Sequence, residues 1–143
     1  MTSSPDAVPA EFNVFLAEPR NAILAVARAD GRPPHATPVW FVYADGAFRI
    51  SITRTRLKFR LIERRPAISL VIDDPEHFRA VVVEGTARVS DAPNDLLRLA
   101  HELQRKYRGR ESAQPDAELL RGLQAEERVV ITLAPARVMS WSR

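Results

Sequence analysis

The sequence predicts a mainly β, α+β fold: a small barrel of antiparallel strands with short helices at its ends. About six apolar segments have strand character, and most follow one another through short connections typical of hairpins. Asp45-Gly46 is the strongest of these connections, because this dipeptide favours a two-residue hairpin turn. Gly85 interrupts a long valine-rich strand, where a glycine allows a barrel strand to bulge or bend. Together these signals favour a closed or nearly closed antiparallel sheet.

The first half of the chain is predicted to contain two helices and three strands. Phe12, Phe15 and Leu16 recur at helical spacing. Asp30-Gly31 provides a turn before the second strand. The predicted elements are a helix at 11–18, strands at 21–28, 35–43 and 47–53, and a basic helix at 56–65.

The second half alternates between buried strands and amphipathic helices. Val81, Val82 and Val83 leave both faces of one strand apolar, which is typical of a central strand. Leu96, Leu99 and Leu103 form one face of a helix. The predicted elements are strands at 67–72, 77–90, 128–133 and 136–141, with helices at 93–108 and 116–125 between the second and third of these strands. We expect residues 1–143 to form a single domain.

Several classes of function are disfavoured by composition and by the motifs that the sequence lacks. The 143 residues contain no cysteine, so neither a disulfide framework nor a thiol nucleophile is available. The three histidines have no ligand spacing, and we expect no metal site. There is no Gly-x-Ser-x-Gly, Walker or Gly-x-Gly-x-x-Gly motif. The N-terminal residues show no signal pattern and no apolar run approaches membrane-spanning length, so we expect a cytoplasmic protein that does not bind membranes.

Nucleic-acid binding is also not expected, although the net charge is +3 and the pI about 9.9. Most basic residues alternate with acidic ones, whereas nucleic-acid binding needs a concentrated patch. The strand aromatics Trp40, Phe41, Tyr43 and Phe48 are interpreted as core or interface residues, although stacking on single-stranded nucleic acid is an alternative for them.

Cations and hydroxyls are concentrated where the strand at 47–53 meets the following helix. The hydroxyls are Ser51, Thr53 and Thr55, and the cations are Arg54, Arg56, Lys58 and Arg60. Free backbone N–H groups and the dipole at a helix start favour an anion, as the cations do. A phosphate site is therefore one interpretation, and a solvated cationic helix face is the other.

Pro38 is the second unusual feature, because it lies inside a predicted strand and cannot donate to a β-ladder. It indicates an edge, a bulge or a place where a ligand lies on the sheet. A cofactor enzyme would account for both features, since a cofactor carries the reaction while the protein supplies position and charge. A flat ring would then lie against Thr37-Pro38-Val39.

These segments resemble the pyridoxamine 5′-phosphate oxidase-like proteins, the split β-barrel flavin and deazaflavin oxidoreductases. The resemblance is carried by NAILAVARADGRPPHATPVWF, by ISITRTRLKFRLIERRPAISLVID and by VVVEGTARV. It is nearest to the actinobacterial branch that binds the deazaflavin coenzyme F420. It implies a homodimeric split β-barrel with cofactor bound in two grooves at the interface.

The resemblance also implies a role for each matching residue. Thr37, Pro38 and Val39 would face the ring, and Ser51, Ile52 and Thr53 would line the groove. Arg56 and Lys58 would hold the phosphate, with Arg60 as a weaker candidate. Phe78 and Arg79 would reach the cofactor from the partner subunit. The role of the helical insertion at 93–125 stays open, and no residue is singled out as a catalytic acid or base.

The implied activity is hydride transfer to a conjugated small molecule of the quinone, enone or tetrapyrrole type. Coenzyme F420 is favoured because the basic segment suits both its phosphate and its oligoglutamate tail, and FMN is the alternative. A non-catalytic carrier of either cofactor would use the same groove. A vitamin B6 oxidase is disfavoured, because the C-terminal ARVMSWSR contains no histidine for a second phosphate site.

Overall fold

The computed structural model describes residues 2–4 and 7–143 and shows a curled antiparallel sheet with helices packed at its ends. Within those residues there are nine strands and four α-helices. The strands are β1 (Thr2–Ser4), β2 (Ala22–Val26), β3 (His35–Val39), β4 (Val42–Ala44), β5 (Ala47–Thr53), β6 (Ala67–Asp74), β7 (Arg79–Ser90), β8 (Arg128–Leu133) and β9 (Arg137–Trp141). The helices are α1 (Asn13–Ala17), α2 (Leu57–Arg64), α3 (Pro93–Arg108) and α4 (Asp116–Ala125), and a 3₁₀ turn, Ala10–Phe12, precedes α1.

The strands pair in the order β3-β2-β6-β7-β8-β5-β4, with β9 beside the first half of β7 and β1 beside β9. Every pairing in this sheet is antiparallel. The predicted mainly β fold is therefore confirmed, and the curled sheet has the form of a split β-barrel.

Gly85 lies where β7 exchanges one neighbour for another. The segment before it, from Ala80 to Glu84, pairs with β9, and the segment from Ala87 to Ser90 pairs with β8. A Cβ at residue 85 would lie 2.6 Å from the carbonyl oxygen of Ala134 and 2.7 Å from Leu133 Cδ1. Only glycine fits this close approach, which lies at the position where the sequence predicts a bulge or bend.

The single strand predicted at 35–43 is wrong, because Trp40 and Phe41 separate β3 from β4. These two strands lie at opposite ends of the sheet order. Side chains of α3 bind the backbone of Phe41 in place of a neighbouring strand: the Tyr107 hydroxyl accepts from its N–H at 3.1 Å, and Lys106 Nζ donates to its carbonyl at 2.8 Å. The hydrogen bonds of Phe41 are thus satisfied outside the ladder, and the chain can cross from one end of the sheet to the other.

The hairpin turn at Asp45-Gly46 is confirmed, with β4 and β5 paired across it. Asp45 and Gly46 have φ values of 54° and 75°, the combination that a type I′ turn requires. Pro38 lies on β3, which ends the sheet order and, within residues 2–4 and 7–143, pairs with β2 alone. The edge position is one of the three explanations that its sequence allowed.

Two apolar clusters stabilise the molecule. The larger fills the barrel and includes Phe15, Phe41, Phe48 and Leu70. The smaller joins α3 and α4 to strands β4 and β8 through Val42, Leu96, Leu99 and Val130, with Leu103, Leu120 and Leu123 packed against them. Consequently the insertion at 93–125 is attached to the side of the barrel. No helix in the described part of the chain is both long and apolar enough to cross a membrane.

Candidate active site

A cavity of about 800 Å³ lies between the edge strand β3, the end of β5, the start of α2 and the two helices α3 and α4. Eight of the eleven residues predicted for cofactor binding line it. They are Thr37, Pro38, Val39, Ser51, Ile52, Thr53, Arg56 and Lys58. Residues far apart in sequence thus meet at one surface, as expected if they serve a common ligand.

One end of the cavity is cationic. Arg56, Lys58 and Arg128 line it together. Burial lowers the pKa of Lys58, and the positive charges of Arg56 and Arg128 lower it further. Arg128 pairs with Glu126 at 2.7 Å, whereas Arg56 and Lys58 form no ion pair within the described residues. This end therefore carries excess positive charge that an anion would neutralise.

Backbone and hydroxyl groups add donors to the cationic end. Arg56 is the N-cap residue of α2, and its side chain makes no capping bond. Since a guanidinium has no acceptor, the N–H groups of Leu57 and Lys58 stay available to an anionic ligand, whereas that of Phe59 donates to the carbonyl of Arg56 at 3.1 Å. Thr53 and Thr55 lie beside them, with their hydroxyl oxygens 3.0 Å apart. A phosphate is the group that such a junction suits best.

Another wall of the cavity is apolar and comes from the helical insertion. Ala100 and Leu103 of α3 and Leu119 and Leu123 of α4 contribute to it. The sequence analysis did not assign these residues to the site. Leu119 and Leu123 have the four-residue spacing of any helix face packed on a core, so only the folded structure distinguishes cavity lining from core packing.

Trp40 completes this wall and is held by its neighbours on α3. Its ring is stacked on that of Tyr107, with centroids 4.4 Å apart and planes 2° apart. The Tyr107 hydroxyl donates to the carbonyl of Arg20 at 2.7 Å, and Lys106 Nζ donates to the carbonyl of Leu16 at 2.7 Å. These bonds fix α3, and with it the apolar wall, against the strand crossing at Trp40 and Phe41.

Three predicted site residues lie elsewhere. Arg60 is exposed on α2 and does not line the cavity. Phe78 is 54% exposed with a φ of 52°, and the guanidinium of Arg143 lies over its ring. Arg79 binds Asp74. The resemblance assigned Phe78 and Arg79 to the groove of a partner subunit, and this assignment stays a prediction.

Asp74 forms the centre of a separate charged cluster beneath Phe78. Its carboxylate is buried and accepts hydrogen bonds from Arg79 and from His77 Nδ1, with Arg20 3.2 Å away. The hydrogen bonds from Arg79, followed by those from His77 and the charge of Arg20, lower the pKa of Asp74 to about 2 against the opposing effect of burial. Glu76 also brings a ligand-type oxygen near Asp74 and His77. Arg79, His77 and Arg20 all approach Asp74 Oδ2, and these contacts hold the end of β6 in place.

The two ends of the cavity fit the two parts of a phosphorylated heterocyclic cofactor. The cationic end offers N–H, O–H and ammonium donors for the phosphate. Pro38, Val39 and Ile52 offer an apolar surface on which a flat ring would lie. The chemistry of the residues present is therefore compatible with a flavin-type group.

Comparisons with known proteins agree with this geometry. The family model for pyridoxamine 5′-phosphate oxidase matches residues 8–142. A search of curated proteins gave no match. Among solved structures, an F420 reductase is 26% identical to this chain, with a TM-score of 0.72. The alignment covers 92% of this chain and 98% of the reductase chain.

Two further structures share the fold. A conserved hypothetical protein from Mycobacterium tuberculosis is 24% identical with a TM-score of 0.80, over 99% of this chain and 90% of its own. A flavocytochrome from Azotobacter vinelandii is 14% identical with a TM-score of 0.70, over 99% of this chain and 69% of its own. With a family model that spans nearly its whole length, this chain belongs to the pyridoxamine 5′-phosphate oxidase family.

Proposed function

We propose that the protein is an oxidoreductase that binds coenzyme F420 in this cavity and uses it to reduce a conjugated small molecule. The observation that carries the proposal is the composition of the cavity, in which Arg56 and Lys58, cations without an ion pair in the described residues, and an apolar wall from α3 and α4 line the same space. The similarity to an F420 reductase supports the choice of cofactor.

The cationic end would hold the phosphate. Arg56 and Lys58 would donate to its oxygens, together with the first N–H groups of α2. The hydroxyls of Ser51 and Thr53 line the adjoining groove. A bound anion would also relieve the mutual repulsion of Arg56, Lys58 and Arg128, so part of the binding energy would come from removing an unfavourable interaction.

The ring would lie against Thr37, Pro38 and Val39. When bound, coenzyme F420 supplies a hydride and accepts one in the reverse direction. The chain's contribution is to orient the ring and to exclude water, for which Trp40 and the leucines of α3 and α4 are suited. An apolar wall of this kind would accept a quinone, an enone or a tetrapyrrole in preference to a highly charged substrate.

We further propose that the active form is a homodimer in which Phe78 and Arg79 of each chain approach the cofactor of the other. Phe78 is an exposed aromatic residue in a left-handed backbone conformation, outside the cavity of its own chain. An interface would bury such a ring, and it would also close the open edge strand β3.

Fluorescence titration of the purified protein with coenzyme F420, and separately with FMN, tests the cofactor assignment. We expect tight binding of coenzyme F420 and weaker binding of FMN. Lys58→Ala and Arg56→Ala should each weaken F420 binding by about ten- to a hundredfold, because each removes a charge-assisted hydrogen bond to the phosphate.

Arg64→Ala is the matched control, since it removes the same charge from the far end of α2, where the side chain does not line the cavity. If Arg64→Ala and Lys58→Ala lost the same F420 affinity, the effect would depend on the net charge of the protein and not on contact with the phosphate. A preference for FMN would assign the chain to flavin chemistry in the same groove. Tight F420 binding without reduction of any quinone or enone would identify a carrier, and failure to bind either cofactor would overturn the proposal.

A further inference from the structure

His35 lies in the cavity but has no part in the function proposed above. His35 and Thr37 are two residues apart on β3, so their side chains project from the same face of the strand. Both line the cavity, and the hydroxyl oxygen of Thr37 lies 3.2 Å from Lys58 Nζ. The imidazole therefore belongs to the same surface as the predicted ring-binding residues.

Arg28 fixes the protonation state of this imidazole. Its Nη2 atom lies 3.1 Å from His35 Nδ1. A guanidinium has donors only, so Nδ1 must be the acceptor and cannot carry a proton. The single proton of the neutral ring then resides on Nε2, on the other side of the ring from Arg28.

Arg28 is itself arranged as a support for His35. Within the described residues it forms no ion pair, and its buried Nε atom has no hydrogen-bond partner. Its backbone carbonyl accepts a hydrogen bond from Arg65 at 3.0 Å, which holds the segment just after β2 in place. The guanidinium of Arg28 therefore contacts His35, and no carboxylate in the described residues competes with His35 for this guanidinium.

The surroundings of His35 oppose a second proton. Burial lowers the pKa of His35, and the positive charges of Arg28 and Lys58 lower it further. Thr37 accepts the bond from Lys58, so its own O–H is free to donate. This stretch of the cavity consequently presents donors, namely His35 Nε2–H and the Thr37 hydroxyl, and it suits an oxygen that only accepts.

We infer that His35 binds a carbonyl oxygen of the bound ligand through Nε2–H, with Arg28 as the positioning residue that fixes the tautomer. The inference rests on the proposed function for the identity of the ligand. The carbonyl belongs either to the cofactor ring or to the conjugated substrate. In the first case the His35 contact affects the dissociation constant of the cofactor, and in the second it affects kcat/KM for the substrate.

If the carbonyl belongs to the substrate, the contact has a chemical role. A hydride, which carries two electrons, adds to the β-carbon of an enone, and the π electrons move to the carbonyl oxygen to give an enolate. Water then protonates the α-carbon of this enolate. The enone is reduced by two electrons and the cofactor is oxidised by two. A neutral Nε2–H donor stabilises the developing negative charge on oxygen without giving up its own proton.

The tautomer is tested first, on the protein alone. Long-range ¹H–¹⁵N NMR correlations distinguish protonated from unprotonated ring nitrogens, and His35→Gln identifies the His35 signals among the three histidines. We expect Nε2 protonated and Nδ1 unprotonated at pH 7. Arg28→Met should change this spectrum toward a mixture of tautomers. A ring protonated on Nδ1, or a wild-type mixture, would overturn the inference whether or not any cofactor binds.

The ligand contact is tested with His35→Leu and His35→Gln, measuring F420 dissociation constants and the kinetics of 2-cyclohexen-1-one reduction with reduced coenzyme F420. We expect His35→Leu to lose about three- to tenfold and His35→Gln, which retains an N–H donor, to recover most of that loss. A loss in F420 affinity assigns the carbonyl to the cofactor, and a loss in kcat/KM alone assigns it to the substrate. Unchanged constants in His35→Leu would overturn the contact, and a wild-type protein that binds neither F420 nor FMN would instead overturn the proposed function.

Discussion

The side chain of Asp74 shows how one buried carboxylate can determine the acid stability of a strand end. It is 1% exposed and lies among the cations of Arg79 and Arg20 and the ring of His77. Because these partners lower its pKa from 3.8 to about 2, the folded state binds fewer protons than the unfolded state between those two values. Its stabilising contribution is complete above pH 4 and is lost as the pH falls through 2.

We therefore expect Asp74→Asn to lower the melting temperature at pH 7 and to flatten the decline of stability between pH 4 and pH 2. Thermal unfolding followed by circular dichroism over this pH range measures both effects. Asp73→Asn is the control, since Asp73 is exposed and forms no ion pair in the described part of the chain. An equally steep acid decline in Asp74→Asn would show that another group controls it.

The contrast between Lys58 and Arg60 shows what helix geometry adds to a motif. Both belong to the basic segment that the sequence predicts as a phosphate site, yet only Lys58 lines the cavity. Two helical positions differ by about 200° around the axis, so residues 58 and 60 face opposite directions. Arg60 is the weaker candidate for holding the phosphate, which agrees with this geometry. Phosphate binding by either residue stays a prediction.

At the scale of elements, the bend in β7 depends on one missing side chain. We expect Gly85→Ala to destabilise the protein by about 1–3 kcal/mol, because the added Cβ would overlap the carbonyl oxygen of Ala134 and the side chain of Leu133. Chemical denaturation measures the change.

Gly122→Ala is the matched control for Gly85→Ala. Nothing lies within 4 Å of a Cβ at residue 122, and the residue is inside α4. This substitution should stabilise the protein by about 0.5–1 kcal/mol. If both alanines had the same small effect, the close approach at residue 85 would not constrain the strand.

Elements were predictable where the signal was local. Asp45-Gly46 specified its turn, and the predicted helices at 93–108 and 116–125 match α3 and α4. The division of the strand at 35–43 was not predictable, because its cause is remote: Tyr107, 66 positions from Phe41, binds the backbone of that residue. The apolar wall of the cavity was missed for the same reason, since it forms only when α3 and α4 pack against the barrel.

At the scale of the whole molecule, the proposed dimer makes a direct prediction. Sedimentation velocity should give twice the 16.1 kDa mass of one chain. Phe78→Ser should shift the protein toward monomer and weaken cofactor binding, since Phe78 offers an exposed ring beside β9. Val14→Ser, at an even more exposed apolar side chain on α1, is the control. A wild-type monomer that binds cofactor at full affinity would contradict the shared site.

The overall fold was more predictable than its details. Alternating strands, one strong hairpin and a bending glycine are enough to indicate an antiparallel barrel, and the structure confirms it. Nothing in the sequence indicates which segments approach one another across the cavity, such as those of Lys58 and Thr37. Those contacts depend on the curl of the whole sheet, whereas turn and helix signals depend on a few neighbouring residues.

The crossing at Trp40 and Phe41 has a consequence for how the family can vary. Two residues join the first and last strands of the sheet order, and the three Cα–Cα steps from Val39 to Val42 reach no more than about 11 Å. An inserted residue here would shift the register of a strand on one side and loosen the mouth of the cavity on the other. The insertion between β7 and β8 is, by contrast, attached to the outside of the barrel, and apart from the bonds of Lys106 and Tyr107 to the crossing its length is not tied to strand pairing. Natural or engineered diversification of substrate size is therefore expected in α3 and α4, while the crossing keeps a constant length.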